Sequence, residues 1–186
     1  MAKGRIHVTG ASGSGVSTLA RGLATALGLQ AFDTDDFFWQ PTDPACCQKR
    51  PVADRLALME QVFLPRSDWV LAGSLSGWGD AIIPRFSSVI FLTAPVSVRL
   101  DRLRRRECQR HGAAIAAGGE LEKAHQGFLD WAMRYDDPGF SGRSRMGHEA
   151  WLADLPCPVI RLDGAQDAGR VLADALGALD GVSAGA

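Results

Sequence analysis

The sequence predicts a three-layer α/β domain: a five-stranded, mostly parallel sheet with helices on both faces. Three observations lead there. Short β-rich runs alternate with helix-period segments along the chain. Several of those runs are continuously apolar, as strands covered on both faces are. The 186 residues carry a formal charge of −1, and such a length suits one domain that buries roughly two-thirds of its unfolded surface.

Ile6-His-Val-Thr9 is the first strand, followed by a glycine-rich turn and a helix with Leu19, Leu23, Ala26 and Leu27 on one face. Ala31-Phe-Asp33 reads as a short second strand. Val52, Leu56, Met59 and Phe63 mark an amphipathic helix opened by Pro51, a residue that suits a first helical turn. Trp69-Val-Leu-Ala72 and Val89-Ile-Phe-Leu92 are the third and fourth strands, and Val96, Leu100 and Leu103 begin the next helix. Val159-Ile-Arg-Leu162 is the fifth strand. Ala168, Val171, Leu172, Ala175, Leu176 and Leu179 belong to the closing helix.

Residues 107–156 break this rhythm. They carry a helix around Leu121 to Tyr135 and then the stretch Pro138-Gly-Phe-Ser-Gly-Arg-Ser-Arg145. Long structureless loops are uncommon inside a domain, so a helical lid covering a substrate is the more economical expectation. Residues 1–180 are expected to form one domain, and the small-residue tail 181–186 to be disordered.

With 20 Lys+Arg against 21 Asp+Glu, the chain lacks the basic excess that binds nucleic acid or an anionic membrane by charge alone. No apolar run has the length of a signal segment or a membrane span. A cytoplasmic protein is expected, as a monomer or homodimer. Cys46, Cys47, Cys108 and Cys157 show no zinc-site spacing and are expected as buried or idle thiols. His7, His111, His125 and His148 share no metal-ligand spacing either, and His7, alternating with apolar neighbours, reads as structural. Of the 20 cations only Lys3, Lys49 and Lys123 are lysine; the other 17 are arginine.

The most informative stretch is Gly10, Ala11, Ser12, Gly13, Ser14, Gly15, Val16, Ser17 and Thr18. It follows a strand and opens a helix, the context that a phosphate-binding loop requires. Its glycines let successive N–H groups turn toward an anion, and the helix adds its positive end. Aligned to Gly-x-x-x-x-Gly-Lys-[Ser/Thr], Ser17 takes the Mg²⁺-ligating position, and one element departs: Val16 stands where the lysine should be. A plain glycine turn would explain the glycines but not their spacing together with Ser17.

With this loop, Asp33-Thr-Asp35 after the second strand, Gly73-Ser74 after the third, an arginine-rich helix entering a lid, and Leu162-Asp-Gly164 before the last helix, most of the chain resembles the adenylate-kinase-like P-loop small-molecule kinases. That group includes nucleoside monophosphate, shikimate and gluconate kinases. The likeness extends to a bacterial subset whose loop also lacks the lysine. It implies the P-loop NTPase fold, ATP and Mg²⁺ as cofactors, and phosphoryl transfer to a small acceptor such as a nucleoside monophosphate or a hydroxylated metabolite. A degenerate module that binds nucleotide without transferring phosphate is the alternative, supported by Val16.

Asp33, Asp35 and Asp36 fall at the C-terminal edge of a parallel sheet, where α/β proteins bind ligands. By the resemblance, Asp33 serves magnesium, and Asp35 orients or deprotonates the acceptor. An acidic turn capping the following segment is the competing reading. No acidic residue ends Trp69–Ala72, which increases the burden on this pair. Asp36, Trp39, Arg50, Gly73, Ser74, Trp78 and Asp80 are candidates for the acceptor side. Arg99, Arg102, Arg106 and Arg110 recur at helical spacing, and Arg134, Arg143 and Arg145 lie deeper in the insertion. A guanidinium binds phosphate bidentately, so one or more of Arg106, Arg134 and Arg143 is expected to supply the charge absent at Val16.

Overall fold

The computed structural model describes residues 4–43 and 45–184. Five strands form one sheet: β1 (Arg5–Gly10), β2 (Ala31–Asp33), β3 (Trp69–Ala72), β4 (Ser88–Thr93) and β5 (Val159–Asp163), in the order β2-β3-β1-β4-β5. Each neighbouring pair is parallel. The helices are α1 (Val16–Leu27), α2 (Thr34–Phe38), α3 (Val52–Val62), α4 (Val96–His111), α5 (Glu122–Met133), α6 (Arg145–Ala153) and α7 (Ala168–Ala184).

Strand side chains alternate between two cores because successive residues point to opposite faces. Ile6, Val8, Val70, Ala72, Ile90 and Leu92 meet Leu19, Leu23 and Leu27 of α1 and Val171, Ala175 and Leu179 of α7. On the other face Trp69, Leu71, Val89 and Phe91 meet Phe37 of α2, Met59 of α3, Phe63 just beyond it, and Leu152 of α6. Both cores bury their apolar strands, which is why the strand sequences lack the polar alternation of one-sided sheets.

The structure departs from the sequence reading in four places. Ala24, not Ala26, completes the buried face of α1. The β3–β4 connection carries a 3-10 helix over Asp80–Arg85, an element the sequence reading did not assign. Two further helices, α2 and α6, occupy stretches to which no individual helix was assigned. Finally, α7 continues through Ala184, where a disordered tail from residue 181 was expected; residues 185–186 lie outside the described ones. Segment 107–156 is largely helical, made of the end of α4, a 3-10 turn at Gly112–Ile115, α5, a second 3-10 turn at Arg134–Asp136, and α6.

Strand register sets the level of the site. Val8 lies beside Ala72 and Ile90, Asp33 beside Ala72, and Thr93 beside Asp163. Gly10, Asp33, Gly73 and Asp163 therefore all emerge at the same C-terminal edge.

Candidate active site at the C-terminal sheet edge

The loop of residues 10–18 runs from the end of β1 into α1. Leu19 N–H closes the first helical bond, onto the Gly15 carbonyl, and no side chain caps the helix. The N–H groups of 16–18 are thus the orphan donors of a helix N-terminus, aimed where an anion would sit. Ser14 is fully buried and turns its hydroxyl back onto the Ala11 carbonyl, so it shapes the loop. Gly13 has φ +83°, and a Cβ there would stand 2.5 Å from the Arg99 carbonyl oxygen. Only glycine lets the loop seat against α4 so closely. Val16 packs its side chain against the α1–α7 core.

Ser17 Oγ donates to Asp33 Oδ2 at 2.9 Å, while Asp33 Oδ1 accepts from Asp35 N–H at 3.1 Å. Asp33 therefore caps α2, as the competing reading has it, and with its other oxygen meets the loop hydroxyl. Burial and the neighbouring Asp33 push the Asp35 carboxyl above its ordinary range, while Arg143 and Arg106 pull it back. Burial, then Asp33, raise Asp36 as well.

The arginines separate clearly. Arg143 places Nη2 on Ser12 Oγ of the loop and lays its guanidinium 4.9 Å from the Trp131 ring centre. Its Nε is buried without a hydrogen-bond partner among the described residues, and burial presses against its charged form. Arg106 is half-exposed, pairs with Glu107 at 2.9 Å and lies 5.9 Å from the Phe128 ring centre. Arg134 is not brought to the loop: it pairs with Asp137 at 3.3 Å and stacks over Phe140 at 4.5 Å. Arg99 is fully buried and structural, binding the carbonyls of Ala94 and Ala132 and pairing with Asp136 at 2.9 Å. Arg102 ties the loop to the β5–α7 connection through Gly164 O at 2.6 Å and Ser14 O at 3.5 Å. A cleft opens beside it, lined by Gly15, Thr18, Arg102, Gly164, Gln166 and Ala168 among others.

On the opposite side of the loop, the candidate acceptor residues assemble around α2 and the turn after β3. Gly73 has φ +115°, and a Cβ there would collide with Thr34 Oγ1, the atom that accepts from Ser74 N–H at 3.2 Å. Trp78 donates Nε1–H to the Ser74 carbonyl at 3.2 Å and meets Phe38 edge-on. Trp39, likewise edge-on to Phe38, pairs with Lys49 in a short bridge. Two candidates are already engaged. Arg50 spends Nε and Nη2 on the carbonyls of Phe37 and Trp39, and Asp80 accepts from Trp151 Nε1–H at 3.2 Å. Their side chains pin backbone and α6.

Sequence reasoning missed Arg55. It is buried, donates Nε–H to the Arg50 carbonyl, and lies between Phe38 (3.8 Å) and Trp78 (5.1 Å). It has no carboxylate within ion-pair distance among the described residues, and desolvation lowers its pKa. A lone arginine on an amphipathic helix carries no sequence signal for this. Also missed was a buried chain joining α6 to the β3 turn. His148 is pushed down to about 4 by burial and Arg143, and Tyr135 up to about 12 by burial, so at neutral pH the imidazole is neutral and the phenol protonated. Tyr135 O–H donates to His148 Nδ1 at 2.8 Å, leaving Nε2–H for Ser74 Oγ at 3.4 Å. His7 is structural, as expected: fully buried, bonded to the Leu71 carbonyl and stacked on Phe86. Cys46, Cys47 and Cys108 are exposed free thiols, not buried ones.

Among the described residues no helix is long and apolar enough to cross a membrane, and no cluster of three or more His, Cys, Asp or Glu could hold a metal. Magnesium keeps several waters and takes one or two carboxylates plus phosphate oxygens. Ser17 Oγ and Asp33 Oδ2 are hard oxygen donors of that kind.

No protein-family model matches the chain. It is 41% identical over 161 residues, 87% of this chain and 89% of the relative, to the uncharacterized protein YqaC of Bacillus subtilis (strain 168). To the cytidylate kinase of Natronomonas pharaonis it is 34% identical over 113 residues, which span 55% of this chain and 58% of that protein. A gluconokinase from Sinorhizobium meliloti 1021 superposes with TM-score 0.55 at 19% identity, covering 96% of this chain and 92% of that one. Shikimate kinase from Aquifex aeolicus vf5 does so with TM-score 0.56 at 15% identity, covering 98% and 99%. The all-parallel sheet, the glycine loop at its edge and these superpositions agree: the chain has the P-loop kinase fold and belongs to the same family as YqaC of Bacillus subtilis.

Proposed function

We propose that this protein is an ATP- and Mg²⁺-dependent phosphotransferase acting on a small acceptor, in which Arg143 does the electrostatic work of the missing loop lysine. It then falls in the bacterial subset of adenylate-kinase-like proteins that lack that lysine. The observation that carries the reading is the bond from Arg143 to Ser12 of the loop, made by a cation that also acts on Asp35.

The division of labour follows from position. The loop N–H groups and the end of α1 bind phosphate oxygens, and the Arg102–Gly164 cleft takes the rest of the nucleotide. Ser17 and Asp33 would hold magnesium, which would neutralise phosphate charge when bound. Asp35, its carboxyl raised by burial, orients the acceptor hydroxyl and accepts its proton. Arg143 steadies the negative charge that spreads over the phosphoryl oxygens during transfer. Arg55, an uncompensated guanidinium between two aromatic rings, favours an acceptor that carries an anionic group as well as a hydroxyl. That description covers nucleoside monophosphates and acidic hydroxylated metabolites.

The test is phosphoryl transfer from γ-labelled ATP with Mg²⁺ to a panel of such acceptors, comparing the native chain with Arg143→Ala. Acceptor-dependent transfer is expected, lowered about a hundredfold or more by the substitution, the scale of a lost charge-assisted contact in the transition state. The inward packing of Val16 favours one second reading, a nucleotide-binding module without transfer. Tight ATP binding with no transfer to any acceptor would establish it instead.

A further inference from the structure

Arg143 lies in the non-helical stretch before α6, and among the described residues its guanidinium has one hydrogen bond, to Ser12, and one aromatic contact, to Trp131. We propose that Trp131 is a positioning residue: its ring is the shelf that holds the Arg143 guanidinium against the phosphate loop. The inference rests on the role given to Arg143 above.

Three features make the ring fit for this. Trp131 is half-buried and sits on α5 beside Leu129 and Ala132, which pack into a cluster with Leu100 and Leu103 of α4. The helix carrying the ring is thereby fixed to the helix whose Arg99 carbonyl abuts Gly13. Phe128, one turn earlier, stacks on Trp131 with ring centres 6.1 Å apart and planes at 20°, which restrains the indole. And the guanidinium, its Nε buried without a hydrogen-bond partner among the described residues, is otherwise oriented by Ser12 and by the longer-range charges of Asp35 and Asp33. An indole face attracts a desolvated cation without competing for its N–H donors. The donors stay available for a phosphate.

The full chain is tested by calorimetric titration with ATP and with ADP in Mg²⁺, together with thermal unfolding. Arg143→Ala is expected to weaken ATP more than ADP. Trp131→Leu is expected to weaken ATP three- to thirtyfold while leaving ADP within twofold, and Trp131→Phe, which keeps a ring, to stay within threefold of the native chain. The double variant Trp131→Leu/Arg143→Ala should bind ATP no worse than Arg143→Ala alone. Additive losses in the double variant, equal losses for ATP and ADP in Trp131→Leu, or no loss at all would overturn the shelf while the role of Arg143 stands. If Arg143→Ala itself leaves ATP and ADP affinities unchanged, the role of Arg143 fails and takes the shelf with it.

Discussion

Ser17 and Asp33 lie sixteen residues apart in the chain and 2.9 Å apart in space, the hydroxyl of the first turn of α1 donating to the last residue of β2. Removing either oxygen should cost metal-assisted binding rather than the fold. Ser17→Ala and Asp33→Asn are each expected to weaken ATP binding in Mg²⁺ about tenfold or more, the scale of one charge-assisted contact. Binding in EDTA should stay within about twofold. Asparagine still caps α2, so the comparison isolates the charge. Titration of each variant with and without Mg²⁺ checks this.

Val16→Lys asks whether the two sources of positive charge are interchangeable. Val16 contributes to the α1–α7 core, so the substitution should lower unfolding free energy by about 1 kcal/mol, the cost of a partly buried apolar contact. In an Arg143→Ala background the same lysine should recover part of the lost ATP affinity. Chemical denaturation and ATP titration of the four variants in the cycle read both effects.

Much of this could be read in the chain, and the limits have a physical cause. The loop was legible because its glycines, hydroxyls and helix start are contiguous, and Asp33 and Asp35 because they follow a strand at a predictable edge. Arg143 could not be told from Arg134, since both are arginines in the insertion. What separates them is a bond across 131 positions against a pairing across three. Arg50 and Asp80 looked available because backbone carbonyls and a distant tryptophan leave no trace in local sequence. Helix α2 is five residues long and too short for periodicity to register, and α6 begins in a run of Gly, Ser and Arg.

Acid should destabilise the fold before carboxylate protonation alone would explain it. Burial holds His7 down to about 3 and His148 down to about 4, both below the ordinary 6.5. Between those values and 6.5 the unfolded chain binds more protons than the native one, so stability is full above about 6.5 and falls as pH drops through the window. The slope is about 1.4 kcal/mol per pH unit for each histidine. Urea midpoints measured from pH 7.5 to 4.5 should decline, and less steeply in His148→Gln.

Arg99→Lys is expected to be far from conservative. The guanidinium satisfies two carbonyls and Asp136 from a fully buried position, and an ammonium cannot reproduce that fork. A loss of about 2–4 kcal/mol follows from leaving such partners unpaired. Arg134→Ala, whose partners are exposed, should change stability by less than about 0.5 kcal/mol. Paired denaturation curves separate the two.

The contact between Arg143 and Ser12 spans 131 of the chain's 186 positions, and that distance has a consequence of its own. A lysine inside the loop is present whenever the loop is folded. A cation borne by the stretch before α6 is present only when that stretch is docked. On the proposed reading, a nucleotide bound with the insertion undocked would lack the charge that makes its terminal phosphate transferable to water. Placing the cation on a separate part of the chain would then act as an interlock against idle hydrolysis, linking spending of the nucleotide to closure around it.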